Sequence, residues 1–580
     1  MGSAASVPPW LAVLGVASFV TLGHLSLFIT LLFLLTPTLA FVIFVNAQRR
    51  IGISESTSTF GGLVYILTPL LWASLNQGRI EILVLYLLAP LFIFLQPLMI
   101  NIVELSWRRV FALTLLATLA LSFSPLLLGL WFLVQIALLV RSVISLTQSS
   151  ANSAGWIDLV ESEAFSPIAK RGAVIITTFL LSLPWSLGAL IHPTQFLLAP
   201  GIPVANGGTV QTLLTNPGGQ GAPPWWILAP VPLFIFFSFF IRSMRRSSLV
   251  SSALLAIAIL LNEFHIAGHG ATDSVFVGSI FIVIAIILIP PMMVAIEKVT
   301  PNLRVRNLGV GHFAVAVATV LSLIGTILLG GWILFGQPTS LVQSDQSDVV
   351  PAFVSALAQS PAKPKTLVLS AHSTTNTFFI SRGNPLFIGD ADVATSMPPE
   401  ITDVVGQLVS GSGVTAAKVL GQFGIQYLFL KAPVSIQTAR VIDGVGGFTR
   451  MSATDIGIVW RIVGASPRVM LTDPFGKNHL IPSGDIGALG YAAGHATITL
   501  GEAYDQSWRL IDNGADVPLQ HAPSGLPIFS VNAPGKITLL FDGTAHRALI
   551  SLELLALLIA VVMALPSGRR RRQVPLEELV

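Results

Sequence analysis

Glu81, Glu263 and Asp273 are carboxylates in short polar turns between long apolar runs. A carboxylate so placed can take a proton from an acceptor hydroxyl beside a membrane. Arg79 shares the turn of Glu81. The two can pair with each other, or the guanidinium can meet an anionic lipid pyrophosphate, which suits its planar fork. Flanking charges also commonly snorkel to the interface. Glu263 opens the most polar stretch near the apolar runs, Asn262-Glu263-Phe264-His265-Ile266-Ala267-Gly268-His269-Gly270-Ala271-Thr272-Asp273. Glu263, His265, His269 and Asp273 have the donor types of a metal site or a lipid-phosphate site. Gly268 and Gly270 interrupt any helix that would align the two histidines, so a solvated hairpin turn is expected there and no metal or other cofactor is predicted. Further along, Tyr504, Trp508 and Arg509 would make a sugar-stacking face, against which stands core packing of Trp508. Glu553 falls inside the last apolar run, where a carboxylate is costly unless it reaches the interface or pairs with Arg547. Asp158, Glu161 and Glu163 surround Trp156, Ile157, Leu159 and Val160 in a polar loop that reads as an interfacial connector or an amphipathic surface helix. No Gly-rich phosphate loop, Ser–His–Asp pattern or metalloprotease motif is present.

The elements that must position these residues are set by solvent. Hydrophobic residues make up 53% of the 580, charged residues only 10%, and mean hydropathy is +0.80. A soluble domain carries about 25% charge. The apolar runs are helix length rather than strand length, at 1.5 Å per residue across a core of about 30 Å, and they lack the alternation of a barrel strand. Backbone polar groups in hydrocarbon must be satisfied within the segment, so the fold class is an α-helical polytopic membrane protein. Spans are predicted at 9–22, 25–45, 57–75, 80–103, 110–123, 125–141, 172–191, 225–241, 248–262, 275–296, 312–335 and 547–565, about twelve in all, the first short enough to be re-entrant.

Basic residues fix a predicted orientation. Arg49/Arg50, Arg108/Arg109, Lys170/Arg171, Arg242/Arg245/Arg246, Lys298/Arg304/Arg306 and Arg569–Arg572 all fall on one side if every span is real. Lys and Arg favour cytoplasmic loops, which puts both termini in the cytoplasm of a bacterial cell membrane and a large domain outside. A break at Ser122-Phe123-Ser124-Pro125 is needed to keep Arg109 and Arg141 together, and Pro125 supplies it. Trp225-Trp226 mark a membrane boundary after the turn-rich Thr215–Pro224. The balance of 31 basic against 27 acidic residues is too even to argue for nucleic acid, and the absence of cysteine excludes disulfides and thiolate metal sites.

The division predicted is 1–336 multi-span membrane domain, 337–432 outer α/β subdomain, 433–545 outer β-sandwich-like subdomain, 546–566 final helix and 567–580 basic tail. The α/β reading rests on a short helix at Val350–Leu357, a strand at Thr366–Ser370, a helix at Val414–Phe423 ending on Gly424, and a strand at Ile425–Leu430. The sandwich reading rests on short strands at Ile458–Ile462, Arg468–Leu471, Ala496–Leu500, Trp508–Ile511, Ile528–Val531 and Lys536–Phe541, punctuated by Gly, Pro and Asn.

Several fragments, in order, carry a resemblance. They are Gly2-Ser-Ala-Ala-Ser-Val-Pro-Pro-Trp-Leu11, Gln77-Gly-Arg-Ile80, Asn216-Pro-Gly-Gly-Gln-Gly-Ala-Pro-Pro-Trp225, Leu420-Gly-Gln-Phe-Gly-Ile-Gln-Tyr427, Val459-Trp-Arg-Ile462, Glu502-Ala-Tyr-Asp-Gln-Ser-Trp-Arg509 and Leu565-Pro-Ser-Gly-Arg-Arg-Arg-Arg572. Together they resemble the membrane half of large actinobacterial family-2 glycosyltransferases. In that family a cytoplasmic nucleotide-sugar transferase domain precedes the membrane region and serves cell-envelope glycan synthesis. Met1 falls at what resembles the middle of that membrane region, so the resemblance implies the C-terminal part of a split or truncated architecture. An acidic pair holding a divalent metal is what such a transferase domain uses. Asp390-Ala391-Asp392 has that spacing but falls on the predicted outer side, after Gly389, where an exposed turn is expected.

Three functions compete at this point. One is a membrane component of envelope glycan assembly, positioning a lipid-linked glycan and serving a separately encoded cytoplasmic glycosyltransferase. Another is a self-sufficient polyprenyl-sugar-dependent transferase with an outer-loop carboxylate as base. The third is a transporter or flippase of lipid-linked glycans, for which the helix cores lack paired charges and no internal repeat is visible.

Overall fold

The computed structural model describes residues 7–95, 98, 101–150, 165–201, 204, 209–217, 226, 230–268, 271–302, 310–336, 350–371, 376–383, 398–484, 487–522 and 524–566. The membrane part is helical: α1 (Pro9–Ala17), α2 (Leu25–Arg50), α3 (Glu55–Ile66), α4 (Pro69–Gln77), α5 (Ile80–Leu88), α6 (Trp107–Leu121), α7 (Pro125–Ser150), α8 (Ser166–Leu180), α9 (Trp185–Ile191), α10 (Val210–Thr215), α11 (Pro230–Ser238), α12 (Arg245–Asn262), α13 (Gly278–Asn302) and α14 (Val310–Gly336). Among the described residues, six helices are long and apolar enough to cross a membrane, or eight if two bent pairs each count as one span. Twelve continuous spans are therefore not what these residues form, and prolines explain much of the difference.

The run at 57–75 is split into α3 and α4, which meet at 41° before Pro69, a residue whose missing N–H suits it to open a helix. The run at 172–191 divides into α8 and α9, at 102° to each other around Pro184. The run at 80–103 stops being α-helical at Leu88 and continues as a 3₁₀ segment, Ala89–Leu95. Pro90 has no N–H for the Tyr86 carbonyl, and the Tyr65 hydroxyl donates to that oxygen instead at 2.9 Å. The first run ends as α1 plus a turn of 3₁₀ helix, Ser18–Thr21, too short to cross alone. The break before Pro125 is present: α6 ends at Leu121 and α7 starts at Pro125.

Two of the basic residues used for orientation are occupied inside the protein. Lys170 and Arg171 are buried, and donate to the carbonyls of Val103 (2.7 Å) and Leu98 (3.3 Å). Irregular backbone at membrane depth persists only where protein or water satisfies it, and these cations serve that purpose for the segment after α5.

The domain that the charge pattern predicts to be the outer one lies between α14 and the last helix. Its first sheet has the order β4-β3-β5-β7-β6, built from β3 (Lys365–Ala371), β4 (Asn376–Ser381), β5 (Ile425–Lys431), β6 (Phe448–Thr454) and β7 (Gly457–Ile462), after a small hairpin of β1 (His265–Gly268) and β2 (Ala271–Ser274) within the membrane part. Only β3 and β5 run parallel. The central strands are buried on both faces. Leu367, Leu369, Leu428 and Leu430 face α16 (Pro399–Ser410), α17 (Ala416–Gln422) and α18 (Ile436–Gly444), while Val368 and Phe429 face Val350 and Val354 at α15 (Ala352–Ala358). Gly457–Ile462, expected to open the sandwich, instead completes this sheet beside β5, so the change of sheet falls after Ile462 rather than at 433.

A sandwich follows. One sheet is β14-β15-β11-β8-β9, from β8 (Val469–Thr472), β9 (Asn478–Leu480), β11 (Ala496–Leu500), β14 (Leu519–His521) and β15 (Pro527–Val531). The other is β10-β16-β12-β13, from β10 (Gly487–Ala492), β12 (Trp508–Asp512), β13 (Ala515–Val517) and β16 (Gly535–Phe541). Their inner faces meet through Ile498, Leu500 and Phe529 on one side and Trp508, Leu510, Ile537 and Leu539 on the other. The chain then returns through α19 (Thr544–Ala564), which packs on α6.

Candidate functional site

The Arg79–Glu81 turn is assembled from local rules. Gly78 ends α4 in the left-handed conformation, φ +77°, and the Arg79 N–H closes back on the Ser74 carbonyl at 2.9 Å. Glu81 follows in the first turn of α5, where a negative charge is favoured. Both side chains point inward: Arg79 is 1% exposed and Glu81 4%. Arg79 Nη1 lies 3.3 Å from Glu81 Oε1, and Nε donates to Gln77 Oε1 at 2.8 Å. The guanidinium sits 4.1 Å from the centre of the Phe276 ring. Phe276 can lie there because position 278 is glycine; a Cβ on Gly278 would fall 2.3 Å from the phenylalanine ring. Gln77 in turn donates to Asn216 Oδ1 (2.5 Å) and to the Pro217 carbonyl (3.4 Å), so the segment after α10 roofs the turn.

Of the two uses foreseen for Arg79 and Glu81, pairing is what the geometry holds. The carboxylate is spent on the arginine and sealed from solvent, a poor position for a base that must reach an acceptor. The cluster joins the α4–α5 turn, the α10 loop and the chain entering α13, three separated pieces of sequence.

The other foreseen cluster forms a hairpin. β1 and β2 pair antiparallel, His265 opposite Ser274 and Ile266 opposite Asp273, and β2 lies against β4 of the outer domain. Glu263 is exposed, and His265 Nδ1 is 3.0 Å from the Glu263 carbonyl. His269 and the Asp273 side chain lie outside the described residues, as do Asp390, Asp392, Trp225 and the loop of Asp158, Glu161 and Glu163. Among the described residues no three His, Asp or Glu side chains gather as a metal site.

The stacking face is corrected. Trp508 is 2% exposed, on the sandwich core side of β12, with its ring edge-on to Phe541 at 5.0 Å. Strand alternation puts Trp508 and Leu510 inward and Arg509 outward, where it pairs with Asp516 and Asp542. Tyr504 stacks on His521, 4.3 Å between rings. The two aromatics therefore present no common sugar-binding surface. Within α19, Glu553 and Arg547 form no ion pair among the described residues.

A charged centre that the sequence reading missed lies where the two outer sheets meet. Glu502, just past β11, receives Lys365 Nζ at 2.7 Å, both terminal nitrogens of Arg382 at 3.0 Å, and Arg468 Nε at 2.9 Å. Lys365 also donates to the carbonyls of Gly501 (2.6 Å) and Phe423 (3.2 Å), and Arg468 to that of Gly484. Lys365, Arg468 and Glu502 are buried, whereas the Arg382 side chain is 44% exposed. Burial alone would raise the Glu502 pKa; Lys365, Arg382 and Arg468 outweigh it and hold the carboxyl at about 2. Burial pulls Lys365 down to about 8, against the opposing pull of Glu502. Two of the cations come from the α/β sheet and the other two groups from the sandwich, so the centre binds one subdomain to the other. One signal was available: Ile498 and Leu500 point inward, and the same alternation carries Glu502 inward as well.

The sequence matches no family model and no curated protein. Two solved structures of arabinofuranosyltransferase AftD from Mycobacteria are weakly similar to it. One, a mutant, gives a TM-score of 0.44 at 11% identity, covering 90% of this chain and 54% of that one. The other gives 0.46 at 10% identity, covering 92% and 52%. The chain thus spans about half the length of the structures it matches. Likeness of this degree assigns it neither a reaction nor a family.

Proposed function

We propose that this protein is a membrane component of cell-envelope glycan assembly, related to the membrane half of family-2 glycosyltransferases, and that it serves a separately encoded cytoplasmic transferase. In this reading the helices and the outer domain hold a lipid-linked glycan or its acceptor at the outer leaflet, with both termini in the cytoplasm. The ordered sequence fragments motivate the family relation. The observation behind the accessory role is the state of Glu81: one of the three carboxylates that the sequence offers as an outer-leaflet base is buried and bound to Arg79. Catalysis by that group would require the α10 loop to lift and the ion pair to break, at the cost of an uncompensated buried charge.

One observation favours the self-sufficient transferase. Glu263 is exposed at the foot of the hairpin that touches the outer domain, where an acceptor has access. Sugar transfer to polyprenyl-linked acceptors, measured in membranes with this protein alone and with a separately encoded family-2 transferase domain co-expressed, separates the two. The accessory role predicts transfer only with the co-expressed transferase. Transfer by this protein alone, lost on Glu263→Gln, supports the alternative.

A further inference from the structure

Glu553 lies near the middle of α19, nine residues after Thr544 and eleven before Ala564. At 1.5 Å per residue it is about 14 Å from one end of the helix and about 17 Å from the other. Snorkelling to an interface belongs to the long Lys and Arg side chains, and glutamate is shorter. Arg547 is six residues back, whereas neighbours on a helix surface are three or four apart. The direction of the carboxyl is set by packing. Along α19 only Leu549, Glu553, Ala556, Ala560 and Ala564 are half-buried or buried, and every other residue is exposed. That spacing is one helix face, and α19 packs on α6 and α8. Glu553 therefore points at neighbouring helices rather than at lipid.

The bond from Arg108 Nε to the Ala564 carbonyl, 3.1 Å, sets the register of the pair α19 and α6. Eleven residues back along α19 is Glu553; eleven on along α6 is Leu119, between Thr118 and Ser122. Those hydroxyls are already committed. Thr118 Oγ1 donates to Thr178 Oγ1 of α8 at 3.3 Å, and Ser122 Oγ to the Leu119 carbonyl at 2.7 Å. The charged residues of α6 and α8 are Arg108, Arg109, Lys170 and Arg171, all near the starts of their helices. On α19 itself they are His546 and Arg547, in its first turn. Glu553 makes no hydrogen bond or ion pair among the described residues. A carboxyl group with no partner in an apolar medium takes up a proton rather than stay charged, and one that faces the inside of a helix bundle marks a functional site.

We propose that Glu553 is a proton-binding site inside the span: it carries a proton while α19 lies against α6 and α8, and its ionisation loosens that contact. The start of α19 is tied to the sandwich through Asp542, which accepts from the Thr544 N–H at 3.0 Å and pairs with Arg509 of β12 at 3.3 Å. Loosening α19 therefore reaches the root of the outer domain. The inference is independent of any role in glycan assembly.

The test uses the full-length protein in phosphatidylcholine vesicles and dicyclohexylcarbodiimide, a lipid-soluble reagent that adds to protonated carboxyls. The carboxyl proton moves to a carbodiimide nitrogen, the carboxylate oxygen bonds to the central carbon, and acyl shift to nitrogen leaves a stable acylurea with nothing expelled. Peptide mapping at neutral pH should find the adduct on Glu553, and labelling there should fall as pH is raised. A water-soluble cationic carbodiimide should label the exposed Glu104 and leave Glu553 untouched. The loosening is read separately. Ala112 and Ala564 line the same recess, and the chain has no cysteine, so the double change Ala112→Cys with Ala564→Cys reports the α6–α19 contact by disulfide yield. Raising pH should lower that yield relative to the same protein carrying Glu553→Gln, which stays neutral. Absence of the lipid-soluble adduct at Glu553, equal labelling of Glu553 and Glu104 by the water-soluble reagent, or a yield ratio that does not change with pH would each overturn the proposal.

Discussion

Replacing Glu502 by alanine leaves Lys365, Arg382 and Arg468 facing one another across the junction of the two outer sheets, with the carboxylate they share removed. Its magnitude can be approached in two ways. The carboxyl is held at about 2, against about 4.3 in an unfolded chain. At 1.36 kcal/mol per pKa unit, that depression is worth about 3 kcal/mol. Removing one member of a buried ion pair typically costs about 3–5 kcal/mol, since the remaining charges keep their desolvation penalty. For a domain of this size, each kcal/mol lowers Tm by about 2–4 °C, so Glu502→Ala should lower the outer-domain transition by roughly 10 °C. The partner change should be milder. Burial works against a charged Lys365, whose pKa falls to about 8, and Lys365→Met leaves Glu502 with both arginines. Thermal unfolding of the detergent-purified protein, followed by tryptophan fluorescence, reads both variants. A Glu502→Ala shift below about 2 °C, or a Lys365→Met shift larger than that of Glu502→Ala, refutes the reasoning. The pH dependence has a definite sign: a depressed carboxyl stabilises fully above its unfolded pKa, so this contribution is intact at pH 6 and drains away between about pH 4 and 2.

Other consequences are as direct. Trp508→Ala empties the centre of the sandwich and should cost about 3–5 kcal/mol, seen as loss of the cooperative melt, whereas a surface stacking residue would leave the melt unchanged. Glu81→Gln should destabilise the membrane part in detergent melts by roughly 3 kcal/mol, the scale of a broken buried pair, while leaving transfer per folded molecule within about twofold; Arg79→Leu with Glu81→Leu should be milder than either single change. A topology reporter at Ser344 should register outside and one after Val580 inside; the reverse at either site overturns the charge-based orientation.

Helical membrane character was legible because hydrocarbon leaves few solutions, and hydropathy reports it directly. Continuity of the spans was less so. Pro69, Pro90 and Pro184 are visible in the sequence, but whether each ends a helix or is absorbed depends on a partner elsewhere. Tyr65 reaching the Tyr86 carbonyl is a contact that no local pattern contains. The strands of the outer domain were readable from alternation, yet the sheet that Gly457–Ile462 joins was not, because a buried strand carries no mark of its neighbour. Arg79 and Glu81 were found by adjacency. Lys365, Arg382, Arg468 and Glu502 span well over a hundred residues and meet only in three dimensions, so only the inward parity of Glu502 hinted at them.

The most direct test of the accessory role is sugar transfer by membranes carrying wild-type or Glu81→Gln protein, each assayed alone and beside a separately encoded family-2 transferase domain, with insertion and folding checked in parallel. The predicted result is no transfer by this protein alone, and transfer by the pair that Glu81→Gln leaves nearly intact. Transfer by this protein alone that falls about 10²–10⁴-fold in the folded Glu81→Gln variant, the usual scale for a lost general base, would contradict it.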